Sequence, residues 1–217
     1  MDDDGYPDPK ALKILIKTIE KDSDIICISS IVLNEINKNE LVFPLPLLNK
    51  YQQPKIIGLK RKYYLLNELK RLDNLTYPYA QLFNGSLISL KLFNKMDNIN
   101  KNFYIFGEEV DFFWRMKNVG KVLTHLNAYH YHPNVQNRIY SEIKIYYFIK
   151  NSIINNFKHL SNISLRNILT LVIILYRVYK RNSFLDSLSL ILGGKNNLFY
   201  KAIFRGLKRQ LLIDHDK

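Results

Sequence analysis

The chain has 217 residues, of which 47% are hydrophobic and 13% aromatic, so it can form a hydrophobic core and is not disordered overall. A single cysteine, Cys27, excludes a disulfide framework and a zinc module built from cysteines. The formal net charge of +13 lies mainly in residues 134–217, which hold 14 Lys and Arg against 4 Asp and Glu. Such a basic region predicts an anionic partner, either nucleic acid or an anionic membrane surface.

The hydropathy pattern and the amino-terminal residues indicate the location of the protein in the cell. The longest apolar run, residues 168–175, is far shorter than the roughly 18 residues that cross a bilayer. The sequence begins Met-Asp-Asp-Asp, without the basic segment that opens a secretory signal. We therefore expect a cytoplasmic protein, or one bound peripherally to the inner face of the plasma membrane.

The first part of the chain has alternating helix and strand patterns. Residues 8–21 carry apolar side chains at helical spacing, and residues 24–33 form a β-branched run typical of a strand buried in a mainly parallel sheet. The next segments predict, in order, a loop, a basic helix, a second buried strand and a short helix, at residues 43–58, 59–72, 82–89 and 89–96.

The pattern changes towards the carboxyl terminus. Residues 103–106 are apolar and end at Gly107, residues 109–119 predict a helix, and residues 121–131 predict a strand. From about residue 138 the pattern is helical to the end, with Gly193-Gly194 as a break. The sequence thus predicts an α/β region over residues 1–135 and a basic, amphipathic, all-helical region over residues 136–217.

Three acidic residues open the chain. Asp2, Asp3 and Asp4 could simply form a solvated acidic end. Alternatively, because side chains alternate along extended backbone, Asp2 and Asp4 could share one hard divalent cation.

A second acidic group, Glu108-Glu109-Val-Asp111, follows Gly107 at the predicted start of a helix. Carboxylates there stabilise the positive end of the helix dipole. One of them could instead face a cleft and act as a general base. Asp111 and Arg115 are four residues apart and could form a helical ion pair.

The third feature is Tyr-His130-Tyr-His132-Pro at the end of a predicted strand. Alternation puts both histidines on one face of the strand, a spacing common among metal ligands. Histidines at strand ends can equally be ordinary polar residues.

Taken in order, these features and Phe83-Asn84-Gly85-Ser86 form a series that resembles family 2 glycosyltransferases of the GT-A fold. The resemblance is strongest to the galactofuranosyltransferase and rhamnosyltransferase branch and covers residues 1–135. It continues only as a similar tyrosine-rich segment, Tyr146 to Asn151. It implies a Rossmann-like, mixed but mainly parallel sheet, with a helical segment after it.

The resemblance also implies roles for individual residues. It makes Asp2, Asp4 and His132 ligands of a divalent metal, Mg or Mn, and it makes Glu109 the base that deprotonates an acceptor hydroxyl. The remaining site residues would be Glu108 beside the base and a set near the donor or acceptor: Asp3, Asn84, Gly85, Asp111, Arg115 and His130. The substrates would be a nucleotide-sugar donor, such as a galactofuranose or rhamnose donor, and a glycan or lipid-linked acceptor.

This sequence departs from the family in three ways. Many relatives have Glu-Asp or Asp-Asp in place of Glu108-Glu109, and the segment before His132 is one residue shorter, which leaves His130 as an alternative ligand. In the family several βα units precede the metal motif, whereas here the motif begins at residue 2. The resemblance therefore implies that the N-terminal nucleotide-binding half is missing, so that the chain as written could be unable to bind the donor and inactive.

The basic end suggests membrane contact through residues 138–213. Phe199, Ile203, Leu207 and Leu211 recur every four residues, so they predict an apolar stripe on the last helix with cations beside it. The apolar run of residues 168–175 could dock beside it. Both stripes could instead pack on the rest of the protein. The rival to an enzyme is a nonenzymatic basic module that binds membrane or nucleic acid, although the sequence contains no recognised nucleic-acid motif and we expect no nucleic-acid partner.

Overall fold

The computed structural model describes residues 4–92, 94–135 and 138–209 of the chain. These residues form an α/β protein, which confirms the predicted class at that level. The contacts divide the chain into two compact units. The first unit comprises residues 1–98 and 113–135, and the second comprises residues 99–112 and 136–217.

The first unit is built on a mixed sheet with the strand order β1-β7-β2-β3-β4, to which β5 adds against β7 and β6 against β2. The strands are β1 (Tyr6–Pro7), β2 (Ile25–Asn34), β3 (Glu40–Pro46), β4 (Lys62–Leu65), β5 (Thr76–Tyr77), β6 (Ser86–Ile88) and β7 (Lys121–His132). Helix α1 (Ala11–Lys21) connects β1 to β2, and the four-residue α2 (Leu66–Leu69) follows β4.

The sheet is mostly antiparallel, so the expected mainly parallel sheet is not confirmed. Among the described strands only β2 and β7 pair in parallel, and their ladder runs from Ile25 opposite Lys121 to Asn34 opposite His132. The pairings of β1, β3, β4, β5 and β6 are antiparallel. All ten residues of β2 are buried, as predicted, but this strand is buried because of its central position rather than because the sheet is parallel.

Two short elements between β2 and β6 were predicted wrongly. The segment expected to be a loop, residues 43–58, begins with the last four residues of β3, whose Pro44 and Pro46 suggested a break in regular structure, and its remaining residues belong to no helix or named strand. The expected basic helix over residues 59–72 is mainly β4 followed by one turn of helix. Both strands form through pairing with distant segments, which periodicity along the chain does not reveal.

The segment around residues 82–96 is also less regular than predicted. The expected buried strand is the three-residue, half-buried β6, and the expected helix is a single 3₁₀ turn at Leu90–Leu92. The apolar residues 103–106 form no strand in the described structure. By contrast, α1 and β7 lie where the sequence predicted them.

Apolar side chains are buried in two clusters of the first unit. One cluster joins α1 to the central strands and consists of Ala11, Leu15, Ile25, Ile28 and Ala128. The other brings β2 and β3 together with α2 and consists of Ile31, Leu33, Leu41, Leu45, Leu66, Leu69 and Leu126. These clusters fix the central pair β2 and β7, and the end of β7 carries the two predicted histidines.

The second unit is helical. Its helices are α4 (Glu142–His159), α5 (Ile163–Arg181), α6 (Phe184–Ile191) and α7 (Gly194–Leu207), and α3 (Glu108–Lys117) begins in this unit. The side chains of Ser141 and Ser183 cap α4 and α6 by accepting hydrogen bonds from backbone amides. The break predicted at Gly193-Gly194 separates α6 from α7.

The core of the second unit corrects one prediction about α7. Phe199 is only 6% exposed and belongs to the buried cluster formed by α4, α5 and α6, and Ile203 packs against that cluster. The stripe that was expected to face a membrane therefore points partly inward, while Leu207 is exposed and Leu211 lies outside the described residues. In the described part of the chain, no helix combines the length and apolar character needed to cross a membrane.

Candidate functional site

In the first unit, the pairing of β1 with β7 brings the acidic amino-terminal segment beside the histidines. Tyr6 lies opposite Tyr131 and Pro7 opposite His130 in an antiparallel register. Asp4 and Gly5 directly precede this short strand. Two motifs that are more than 120 residues apart in sequence thus meet at the end of β7.

The imidazole of His130 is packed between two glycines. A Cβ atom on Gly5 would collide with His130 Nε2, and a Cβ atom on Gly85 would lie 2.9 Å from His130 Nδ1. The side chain of His130 is accordingly buried. The absence of side chains at both glycines is therefore what makes room for this ring.

The turn that carries Gly85 has an unusual backbone. Phe83 and Gly85 have φ angles of 71° and 69°, and the carbonyl of Gly85 accepts a hydrogen bond of 2.9 Å from the amide of Ser30. Between them, Asn84 has a buried side-chain oxygen that accepts no hydrogen bond from any described residue. An acceptor of this kind next to His130 could receive a hydroxyl group of a ligand.

His132, two residues further along β7, is fully buried. Its Nδ1 lies 2.6 Å from the carbonyl oxygen of Pro133. Because a carbonyl can only accept, Nδ1 is the donor, and in the neutral ring Nε2 then carries the lone pair. Metal-binding histidines are commonly held in this way. The chemistry of His132 therefore fits a metal ligand.

The rest of the predicted metal site is described only in part. Asp4 is exposed, whereas Asp2 and Asp3 lie outside the described residues. Within residues 4–92, 94–135 and 138–209, no group of three or more His, Cys, Asp and Glu is arranged to hold a metal. One carboxylate and one imidazole of the predicted set are thus described, both next to the β1–β7 pair.

In the second unit, the loop before the acidic pair is strained. Ile105, Phe106 and Gly107 have φ angles of 43°, 66° and 92°, a backbone conformation that residues other than glycine rarely adopt. For the β-branched Ile105 it is a clear outlier. Backbone strain of this kind persists only where the surrounding structure holds it.

Two asparagines of α4 hold this loop. Asn151 Nδ2 donates to the carbonyl of Phe106 at 2.7 Å and contacts the carbonyls of Tyr104 and Ile105 at 3.3 Å. Asn155 Nδ2 donates to the carbonyl of Gly107 at 2.9 Å. Both asparagines are buried, and we call them the asparagine clamp.

The asparagine clamp was missed in the sequence. Asn151 was noted only as part of a tyrosine-rich segment, and Asn155 was given no role. The available signal was their spacing, because asparagines four residues apart share one face of a helix, here one that also carries the apolar residues Ile145, Ile149, Ile153 and Ile154. A polar pair on a buried helical face usually has partners that the local sequence does not contain.

The clamp positions the first turn of α3, which carries the acidic pair. Glu109 is exposed to solvent, yet enough protein surrounds it that desolvation, followed by repulsion from Glu108, raises its pKa to about 7. Glu108 is half-buried, and its Oε2 accepts no hydrogen bond from any described residue. A carboxylate that is both accessible and basic at neutral pH is suited to take a proton from a substrate.

Asp111, one turn further, is buried and has a structural environment. Its Oδ1 lies 2.9 Å from His159 Nε2 and 3.5 Å from Lys158 Nζ, at the end of α4. Arg115 donates to the backbone carbonyls of Asp97 and Asn98, at 2.7 and 3.0 Å. Asp111 thus joins the start of α3 to α4, alongside the clamp.

No protein-family model matches this sequence, and no curated protein matches it significantly. The function is therefore inferred from the residues described above.

Proposed function

We propose that the chain is part of an inverting, metal-dependent glycosyltransferase of the GT-A fold that transfers a sugar from a nucleotide donor to a glycan or lipid-linked acceptor. The observation that carries the proposal is the meeting of three separate motifs around His130. The acidic segment ending at Gly5, the turn at Asn84-Gly85 and the end of β7 are distant in sequence and adjacent in the first unit. The family resemblance of these motifs would explain why they converge.

Glu109 is the proposed general base. In an inverting transfer the acceptor hydroxyl gives its proton to a carboxylate while its oxygen forms a bond to the anomeric carbon. The bond between that carbon and the diphosphate oxygen breaks, and the nucleoside diphosphate departs with the electron pair. A pKa of about 7 leaves Glu109 partly ionised at neutral pH and basic enough for this role.

The resemblance implies a divalent metal. The described donors, a carboxylate oxygen of Asp4 and an imidazole nitrogen of His132, are of the kinds that bind such an ion. Asp2, Asp4 and His132 would hold the ion, which supplies Lewis-acid stabilisation of the departing diphosphate when bound. Asn84 would meet a hydroxyl of the sugar or acceptor through its buried side-chain oxygen. The mixed sheet supports a GT-A relationship only in its parallel β2–β7 pair.

The test is release of nucleoside diphosphate from candidate sugar donors in the presence of Mg²⁺ or Mn²⁺, by the chain alone and together with any upstream in-frame segment of its gene. Glu109→Gln should abolish most of the release. Glu142→Gln is a matched control, because Glu142 is also an exposed glutamate in the first turn of a helix. Equal turnover by both variants would refute the proposed role of Glu109, and absence of donor binding in either form would refute the proposed function.

A further inference from the structure

The outer face of α5 is apolar and exposed. Five residues at intervals of three or four positions line one stripe of this helix and are between 38% and 59% exposed: Leu165, Ile168, Val172, Tyr176 and Tyr179. The opposite face, which includes Ile174 and Val178, is buried in the core of the second unit. The exposed stripe spans about 21 Å at 1.5 Å per residue.

Helix α6 extends this surface. Its exposed residues and the residue that follows it are all apolar and lie on one face: Phe184, Leu185, Leu188, Ile191 and Leu192. The rings of Tyr179 and Phe184 are in contact, with centroids 6.5 Å apart, so the two stripes are continuous. We call this surface the α5–α6 face. An exposed apolar surface of this extent is unusual unless it binds something.

The charges around the α5–α6 face indicate what binds there. Residues 163–207 contain seven Lys and Arg and a single acidic residue, Asp186. Of the cations, Lys180 and Lys201 are exposed, whereas Arg166 is buried. The carboxylate of Asp186 accepts a hydrogen bond from Ser183 in the cap of α6. Lys180, on α5 itself, lies 6.0 Å from the ring of the exposed Tyr176. Cations next to exposed aromatic rings are typical of segments that lie in the interface of an anionic membrane.

We propose that the α5–α6 face docks on an anionic lipid bilayer, with its apolar side chains in the interfacial region and the flanking lysines and arginines at the headgroups. A second copy of the chain is a poorer occupant, because it would bring an equally cationic surface against this one. The assignment differs from the stripe that the sequence predicted on α7, where Phe199 faces the core.

The proposal is tested by flotation of the full chain with phosphatidylcholine vesicles, with and without phosphatidylglycerol. Binding should require phosphatidylglycerol and weaken with salt. Val172→Glu combined with Leu185→Glu should lower the bound fraction at least tenfold. Leu12→Glu combined with Leu59→Glu is the matched control, because these leucines are exposed in the first unit, and it should leave binding unchanged.

A second pair of variants tests the charges. Lys180→Glu with Lys201→Glu should remove the preference for anionic vesicles, whereas Lys13→Glu with Lys17→Glu makes the same change in net charge on α1 and should retain it. Circular dichroism of each variant verifies that it is folded. Equal losses for both pairs would show that only total charge matters and would overturn the assignment.

Three other results would also overturn it. One is vesicle binding that survives the Val172 and Leu185 changes but is lost with Leu211→Glu and Ile213→Glu, which would make the end of the chain the anchor. Another is self-association that only the Val172 and Leu185 changes abolish, without vesicle binding. The third is a salt-sensitive gel shift with RNA or DNA, again without vesicle binding.

Discussion

The two units hold their candidate chemical groups by different means. In the first unit, His130 is fixed by close packing, since Gly5 and Gly85 approach the ring so closely that neither could carry a side chain without a collision. In the second unit, Glu109 follows a strained loop that is fixed by hydrogen bonds from Asn151 and Asn155. An added side chain should therefore destabilise the closely packed histidine site, whereas removal of a hydrogen-bond donor should destabilise the strained loop.

This difference gives each unit its own sensitivity. The histidine site should fail when atoms are added near β7, and the carboxylate site should fail when donors are removed from α4. The predictions below test this contrast, beginning with changes to the proposed reacting groups and ending with changes to the groups that hold them.

The largest effect is expected for His132. Because its Nδ1 donates to the carbonyl of Pro133 and its Nε2 then carries the lone pair, His132→Ala should reduce metal-stimulated sugar transfer to background. Asp4→Ala should have the same effect. The measurement is transfer with and without added Mn²⁺, with circular dichroism as the folding control. Full wild-type turnover in excess chelator would contradict this prediction.

Glu109 should follow, with turnover falling about a hundredfold or more in Glu109→Gln because the base is lost while donor affinity changes little. Glu108→Gln should be milder. In the wild type, turnover should rise with pH through about 7 as Glu109 ionises. If Glu108 proves the more sensitive position, the two roles are exchanged.

The raised pKa of Glu109 also predicts how the stability of the protein depends on pH, which can be measured without a substrate. Because folding raises the pKa of Glu109 from 4.5 to about 7, the folded state binds a proton more tightly than the unfolded state. Stability contributed by that proton is present below about pH 4.5 and is lost as the pH rises to about 7. Urea unfolding across this range should show the decline, and Glu109→Gln should remove this part of it. An unchanged profile in the variant would refute the raised pKa.

Gly85→Ala should destabilise the first unit by about 2–4 kcal/mol, because it combines a strained backbone with a collision against His130. Two other glycines separate these causes. Gly58 has a φ of 130°, but a Cβ atom there would meet only the carbonyl oxygen of Lys60 at an ordinary contact distance of 3.6 Å, so its alanine variant should lose only about 1–2 kcal/mol. Gly5→Ala brings the collision without the positive φ. Denaturant unfolding measures the loss in free energy of unfolding for each of the three alanine variants. Equal losses for the Gly58 and Gly85 variants would show that the structure relieves the collision with His130.

The smallest effect is expected for the asparagine clamp. Asn151→Ala should cost about 1–3 kcal/mol, because it removes the side-chain donor to the Phe106 carbonyl of the strained loop. Asn155→Ala should cost less, because the carbonyl of Gly107 also accepts a hydrogen bond from the amide of Asp111. The exposed Asn127 provides a control whose alanine variant should be nearly neutral. The pKa of Glu109, followed by NMR, should also move towards its ordinary value as the loop relaxes. A loss of stability with no change in that pKa would make the clamp purely structural.

The sequence by itself determined the elements whose signals are local. Helix α1, the buried run of β2, strand β7 and the helical character of the carboxy-terminal region follow from periodicity, and the α/β class follows from them. The chemical groups were also visible as types and spacings, since acidic pairs before a helix and a His-x-His strand end can be read directly from the residues.

Only the tertiary structure decided how these pieces combine. The short strands β1, β3 and β4 exist because other segments pair with them, so neither the mostly antiparallel sheet nor the central position of β2 in it could be read from one segment. The packing of His130 between Gly5 and Gly85, the asparagine clamp and the direction of the α7 stripe depend on contacts between residues far apart in sequence. A periodic pattern shows that a face is apolar, but only its neighbours in space determine whether that face is buried.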